Sequence, residues 1–447
     1  MDSETATAPR ARIACISRDE KSLEALTVNF KTAGYEIASP GSGAADLCLV
    51  DLRGQSVSAK KARSLAAVLR HRSAEASIFF LIDPALAQRG RAALRRFGEV
   101  IPAAGGCEHL IERCRQMIRL RNIAEEAGER MKSLASLNRL VEFPPIATSD
   151  KPLKILIAGA PGPAASACIN AVRHIAEDYV CVLTAGQALR AMELQGFDAA
   201  VFLSSGENDP LFSVTRAMHR NKTIAGVPII HIADKKAELP VLAKRGANEF
   251  MLRQHVSDDL GVRIQLAARR YRLLRSMRVF LQACNGEGVR DNASGAFTSA
   301  FLAEHGARLC ARADQTDRPL CATLVHLSPD HQYESAPGRK VLHQAARLMK
   351  RVTRAEDVTA RIGPDTFLIL SPATIQSDAR ALALRIDGVL SNTVFRGGND
   401  QMLYSIKVST AICMRRQGEA IEEVVANAIK ARRNAQSATP PRRRSPQ

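Results

Sequence analysis

From Arg12 onward, short runs of branched apolar residues alternate with longer amphipathic stretches: RIACIS, EKSLEALTVNFKTAG, DLCLVDL, KKARSLAAVLRH, SIFFLID, RAALRRF and EVIPA. Runs this short read as strands buried on both faces, and the stretches between them as helices. That order predicts a parallel sheet covered on each side. After a polar helix ending in SLNRLVEF and the proline-rich PPIATSDKP, the pattern restarts at Lys154. It continues through KILIAG, SACINAVRHIA, YVCVLT, GQALRAMELQG, FDAAVFLSS, VPIIHIAD and NEFMLR. The repeat is far longer than a solenoid unit, so it reads as a duplicated α/β domain.

A 447-residue chain of ordinary apolar content has room for roughly two to four such cores. No apolar run approaches the ~20 residues that cross a bilayer, and MDSETATAPR lacks the basic-then-apolar order of a secretory signal. The ten cysteines are scattered without a CxxC pair, so a reducing cytoplasm is the expected setting. The net charge of +18 invites a polyanion, whether nucleic acid, anionic lipid or a phosphorylated small molecule. Nucleic acid is the least favoured, because aromatics make up only 4% of residues and no zinc-finger or RNP-type spacing occurs. The histidines show no metal-ligand spacing; His326 and His331 flank a loop. The basic PPRRRSPQ tail is expected to be disordered.

Each α/β copy resembles a response-regulator receiver domain, with flavodoxin-like doubly wound topology. In that family a carboxylate ending the third strand accepts phosphate, beside acidic residues that hold Mg²⁺. Asp51, at the end of DLCLVD, is the candidate phosphoacceptor. Ser17 and Arg18 stand where acids are usual, with Asp19 and Glu20 next, and Ile82 replaces the usual Thr/Ser. Asp51 therefore either takes a phosphoryl group or simply ends a strand. In the second copy Leu203 takes the acceptor position and Ala158, Gly159 and Ala160 replace the acids, leaving a docking or dimerisation surface.

From Leu260 to about Ala283 a helical stripe of Leu266, Leu273, Met277 and Phe280 reads as a connecting stalk, compatible with pairing to a second subunit. Beyond it, DNASGAFTSAFL resembles the opening of GGDEF domains, the cyclase-like α+β domain of diguanylate cyclases, and RAEDVTARIGPDTF carries two more of its motifs. Arg354 and Asp357 fill an RxxD motif at the family's spacing from a hairpin reading Gly363, Pro364, Asp365, Thr366, Phe367 instead of Gly-Gly-(Asp/Glu)-Glu-Phe. His326 stands where the family has a metal carboxylate, and SPDHQYESAPGRK replaces the longer guanine-reading segment. Pro364 fixes φ and removes an N–H at a position the family fills with glycine.

The resemblance, in receiver-receiver-GGDEF order, covers about residues 10 to 435. The boundaries it implies are 10–125 for the first receiver, 126–151 for a linker, 152–262 for the second receiver-like domain, 263–288 for the stalk, 289–437 for the degenerate GGDEF domain and 438–447 for the tail. With the catalytic motifs altered, the expectation is a protein that is not an enzyme and needs no metal or other cofactor. Its ligand would be cyclic di-GMP, held by Arg354 and Asp357, by Arg385 on the following helix, and by Arg312 on an adjacent one. A planar guanidinium can fork onto phosphate or the guanine Hoogsteen edge, and a carboxylate accepts from guanine N1–H and the 2-amino group. RxxD alone is weak, since so arginine-rich a chain should hold about one by chance. Its spacing to the hairpin gives it weight. The implied protein partners are a proteolysis adaptor such as RcdA, a cell-cycle regulator such as CtrA and the ClpXP protease, at a cell pole.

Overall fold

Leu47, Cys48, Leu49, Val50 and Asp51 are all buried, as a strand covered on both faces must be, and form β3 (Leu47–Asp51). The computed structural model describes residues 11–437 except 40–44, 73–75, 84–85, 104–105, 140, 143–151, 205–208, 222–223, 225, 236–237, 239–240, 243–246, 248, 285, 287, 330–337 and 397–402. Around β3 lie β1 (Arg12–Ile16), β2 (Glu36–Ile37), β4 (Ser77–Ile82) and β5 (Glu99–Pro102) in the all-parallel order β2-β1-β3-β4-β5. Helices α1 (Glu20–Thr32), α2 (Ala59–Arg72) and α3 (Gln88–Arg95) connect these strands, and α4 (Gly106–Ser136) follows the last. Asp19 starts α1 by accepting a hydrogen bond from the Ser22 N–H, an ordinary N-cap.

The second sheet repeats the plan. Strands β6 (Leu153–Ala158), β7 (Ala176–Val182), β8 (Ala199–Leu203), β9 (Ile229–Ala233) and β10 (Glu249–Leu252) lie in the parallel order β10-β9-β8-β6-β7. Read from the first strand of each copy, both orders are 2-1-3-4-5, the flavodoxin-like arrangement. Helices α5 (Pro163–Val172), α6 (Ala185–Leu194) and α7 (Leu211–Arg220) link these strands, and α8 (Val256–Ala283) leaves the last through a short 3₁₀ turn. Thr184 and Gln187 form a reciprocal capping box on α6. The two sheets belong to one compact unit, residues 12–121 and 144–276. Within it Glu249 on β10 is partly buried and paired with Arg113 and Arg270, while Glu99 on β5 pairs with the same two arginines. Burial alone would raise the Glu249 carboxyl; the guanidinium groups of Arg113, Arg270 and Arg263 overcome it and bring it down to about 2.

The other unit comprises residues 1–11, 122–143 and 277–447. It holds α9 (Ser299–Thr316), β11 (Leu320–Pro329), α10 (Arg339–Val352), β12 (Val358–Arg361), β13 (Thr366–Pro372), α11 (Gln376–Ser391), β14 (Phe395–Arg396), β15 (Leu403–Tyr404), β16 (Ile406–Met414) and α12 (Ile421–Ser437). Its main sheet is antiparallel, in the order β12-β13-β11-β16. Val341, Leu342, Ala345 and Met349 of α10, with Leu382, Ile386 and Leu390 of α11, pack against Val325, Leu327, Phe367 and Ile369 of the sheet. Spacings of three and four place each helical set on one stripe.

The last part of α4 belongs to this unit. Its buried Arg130 and Glu126 form an ion pair at 2.5 Å, and Glu126 also meets the buried His305 of α9 at 2.9 Å. Ser133 is 2.8 Å from the other ring nitrogen of His305. A single helix thus runs across residues 125 and 126, and another across 262 and 263, where the sequence reading draws its boundaries. The 438–447 tail and His331 lie outside the described residues.

Candidate ligand-binding site

The apolar stripe of α10 fixes its sheet face, and the helix ends at Val352, with the Thr353 N–H returning to the Met349 carbonyl. The chain then turns tightly. The Asp357 N–H donates to the Arg354 carbonyl at 3.3 Å, and the Arg354 N–H donates to an Asp357 carboxylate oxygen at 2.7 Å. A carboxylate three residues after a free N–H is a standard way of closing such a turn.

Asp357 is consequently buried and its carboxyl is raised to about 7, first by burial and then by the neighbouring carboxylate of Glu356, which is itself buried. The Arg354 side chain goes the other way. It is 42% exposed, with Nη2 3.9 Å from Asp378 in the first turn of α11. Arg354 and Asp357 therefore share one turn, but their side chains do not form the outward-facing pair that their spacing suggests.

Arg385 is exposed on α11, seven residues after Asp378. Two helical turns put it on the same side of that helix, about 10 Å along. Arg312 is placed differently: on α9, it is ion-paired with Glu125 of α4 at 3.0 Å. Its Nε is buried without a hydrogen-bond partner among the described residues. The sequence reading missed both Asp378 and Glu125. An acid in the first turn of a helix following an RxxD-type turn is a usable signal for the first; nothing local points to the second.

The hairpin after β12 is closed by Ile362 and Gly363 N–H groups donating to the Thr366 carbonyl at 2.9 and 3.2 Å. Arg361 spans it, donating to the carbonyls of Gly363 and Pro364 and pairing with Asp291 at 3.1 Å. His326 of β11 lies directly opposite Thr366, with its Nδ1 3.1 Å from the Thr366 hydroxyl and 3.2 Å from an Asp365 oxygen. Burial lowers the His326 pKa and Asp365 partly opposes that. His326 and Asp365 could supply two ligands to a metal. No cluster of three or more such donors occurs among the described residues. Most of the segment expected to replace the guanine reader lies outside them.

At the end of β3, Asp51 is buried and held by four hydrogen bonds. Arg53 donates from Nε (2.9 Å), Nη2 (2.6 Å) and its backbone N–H (3.1 Å), and the Ser17 hydroxyl from 3.3 Å. In the second sheet Arg253 pairs with Asp234 at 2.5 Å. No helix in the described residues is long and apolar enough to cross a membrane.

Residues 330–440 match the family model described as diguanylate cyclase, GGDEF domain. The response regulator PleD of Caulobacter vibrioides is 20% identical over 221 residues, 48% of this chain and 49% of PleD. The match thus spans about half the length of that relative. Among solved structures, the GGDEF domain of DgcB from Caulobacter crescentus in complex with c-di-GMP is 19% identical and covers 34% of this chain and 89% of its own, with a TM-score of 0.31. The diguanylate cyclase SiaD of Pseudomonas aeruginosa, in complex with its activator SiaC, is 23% identical over 37% of this chain and 64% of its own, with a TM-score of 0.32.

The expectation that the chain is not an enzyme is corrected by the family match. The segment carrying the altered hairpin is recognised as the diguanylate cyclase domain, so substitutions at Pro364 and Thr366 do not remove it from that family. The hairpin closes around them through the Ile362 and Gly363 N–H groups, neither of which Pro364 supplies, and Arg361 adds hydrogen bonds to the Gly363 and Pro364 carbonyls. Residues 330–440 thus match the GGDEF domain of diguanylate cyclases, and about half of the chain is similar to the response regulator PleD.

Proposed function

We propose that the chain is a cyclic di-GMP effector that binds the dinucleotide at the turn of Arg354 and Asp357, with Arg385 and Arg312 as further cations. The observation that carries this reading is the exposed guanidinium of Arg354, facing α11 and held by a long ion pair to Asp378 at 3.9 Å. A planar fork so placed can exchange a long contact for a bidentate one to a phosphate or a guanine edge. Once ionised, the Asp357 carboxylate has about four acceptor sites, of which the bond from the Arg354 N–H uses one. Engaging Arg312 requires Glu125 to release it.

In this reading the two five-stranded sheets are receiver domains, and Asp51 accepts a phosphoryl group once Arg53 lets go of it. Occupancy favours one arrangement of the chain over another and so alters docking of protein partners. The receiver-receiver-GGDEF order with altered catalytic motifs resembles that of PopA, a non-catalytic relative of PleD, and this resemblance suggests which: an adaptor such as RcdA, a cell-cycle regulator such as CtrA, and ClpXP at a cell pole. Calorimetric titration of cyclic di-GMP into wild type and Arg354→Gly tests the core of the reading. Loss of binding in the variant supports it, and equal affinities end it. The family match favours a second reading, synthesis of cyclic di-GMP from GTP, for which product formation from Mg²⁺-GTP is the measurement.

A further inference from the structure

The strand that ends at Asp51 turns back through Leu52–Gln55, closed by the Gln55 N–H donating to the Leu52 carbonyl at 3.2 Å, with Gly54 at φ +67°. Glycine takes that left-handed conformation without the clash a side chain would meet. The turn lays Arg53 over the carboxylate it follows. Its Nε and Nη2 fork onto the two Asp51 oxygens, and the Arg53 N–H and Ser17 hydroxyl add two more donors. Together they match the roughly four acceptor sites of an ionised carboxylate. Asp51 is thus buried beneath a guanidinium whose side chain remains 36% exposed.

The divalent ion that receiver domains hold beside the phosphoacceptor does not fit these donors. Ser17 and Arg18 stand where its acids would be. Asp19 caps α1, its carboxylate accepting from the Ser22 N–H at 3.3 Å and the Ser22 hydroxyl at 2.6 Å, and Glu20 is exposed in that helix's first turn. Asp83, just beyond β4, accepts from the Gly54 N–H at 2.6 Å. Pro84, Ala85, Ala104 and Gly105, which follow β4 and β5 outside the described residues, add no carboxylate. A hard cation here would need oxygen ligands that include Asp51, and the guanidinium already on that carboxylate would repel it.

We infer that Arg53 supplies the cation for phosphoryl transfer at Asp51, so that the site takes a phosphoryl group from a small acyl phosphate without a divalent metal. The inference rests on reading the first sheet as a receiver domain. Arg53 swings from the carboxylate to the incoming group, whose oxygens suit its planar fork as well as a carboxylate does. An Asp51 oxygen freed by that move attacks phosphorus. The bond from phosphorus to the acyl oxygen breaks, and its electron pair leaves with the donor as a carboxylate, no proton being taken or given. The guanidinium then faces the charge that develops on the phosphoryl oxygens, where a preorganised donor counts most.

The test treats the full chain with acetyl phosphate, in EDTA and in Mg²⁺, and follows covalent phosphate by intact-mass spectrometry. Wild type, Asp51→Asn and Arg53→Ala are compared, with far-ultraviolet circular dichroism as the check on folding. Wild type should be labelled at equal rates in the two buffers, and Asp51→Asn not at all. Arg53→Ala should slow labelling about hundredfold or more, the cost of losing one preorganised donor to developing charge. Labelling that needs Mg²⁺ overturns the inference and leaves the receiver reading standing, a result read on wild type alone whatever the stability of the variants. Labelling in EDTA that survives in folded Arg53→Ala, or in Asp51→Asn, also overturns it. No label in either buffer overturns both the inference and the assignment of Asp51 as phosphoacceptor.

Discussion

Asp357 offers the sharpest test of the physical account. Its carboxyl is buried and raised from 3.8 to about 7, so the folded chain holds this proton more tightly than the unfolded chain does. Stability is therefore complete below the unfolded value of 3.8 and is lost as pH rises towards about 7, beyond which the loss stays constant. At 1.36 kcal/mol per unit the full cost of ionisation is about 4 kcal/mol. Asp357→Asn keeps an oxygen able to accept the Arg354 N–H and cannot ionise. Amide hydrogen exchange in β12 and β13, corrected for intrinsic rates, reads the local stability. Near pH 4 the two proteins should be similarly protected; near pH 8 the variant should be more protected by up to about 4 kcal/mol, close to a thousandfold in rate. Parallel pH profiles, or a wild type that gains protection on going alkaline, would refute the reasoning. The same proton bears on ligand: a carboxyl that must accept from guanine N–H groups has to be ionised, so cyclic di-GMP binding should strengthen as pH rises through 7 and release a proton.

Two further outcomes follow from the buried ion pairs. Glu249 is held near 2, below its unfolded 4.5, so the stability it contributes is present above 4.5 and lost as pH falls towards 2; Glu249→Gln should flatten the acid unfolding profile of the two-sheet unit over that window, measured by circular dichroism. Glu126→Gln removes the carboxylate shared by Arg130 and His305 and leaves a buried guanidinium without its counter-charge, a loss of about 3–5 kcal/mol. Urea denaturation followed by exchange in α9 would show it, and an unchanged midpoint would mean that Arg130 finds another partner, the Leu281 carbonyl 3.5 Å away being the nearest at hand.

The sequence by itself determined most strands of the first two sheets and that they are parallel; it missed the two-residue β2 and started β7 at Tyr179 instead of Ala176. DLCLVD and FDAAVFL are apolar throughout, and only a strand covered on both faces has use for such a run; β3 and β8 are buried almost end to end. It also determined the RxxD turn, because α10 has a clear stripe that stops just before Arg354. These signals are local, carried by a period of two or of 3.6 within a dozen residues. What only the tertiary structure decided is the direction and partner of each charged side chain. Asp357 turns inward to close its own turn, Arg53 clasps Asp51, and Glu125, almost two hundred positions away, takes Arg312. An arginine reads the same in sequence whether it faces water, a ligand or a carboxylate from a distant helix. The choice is made by which surfaces pack together, and no period in the chain encodes that.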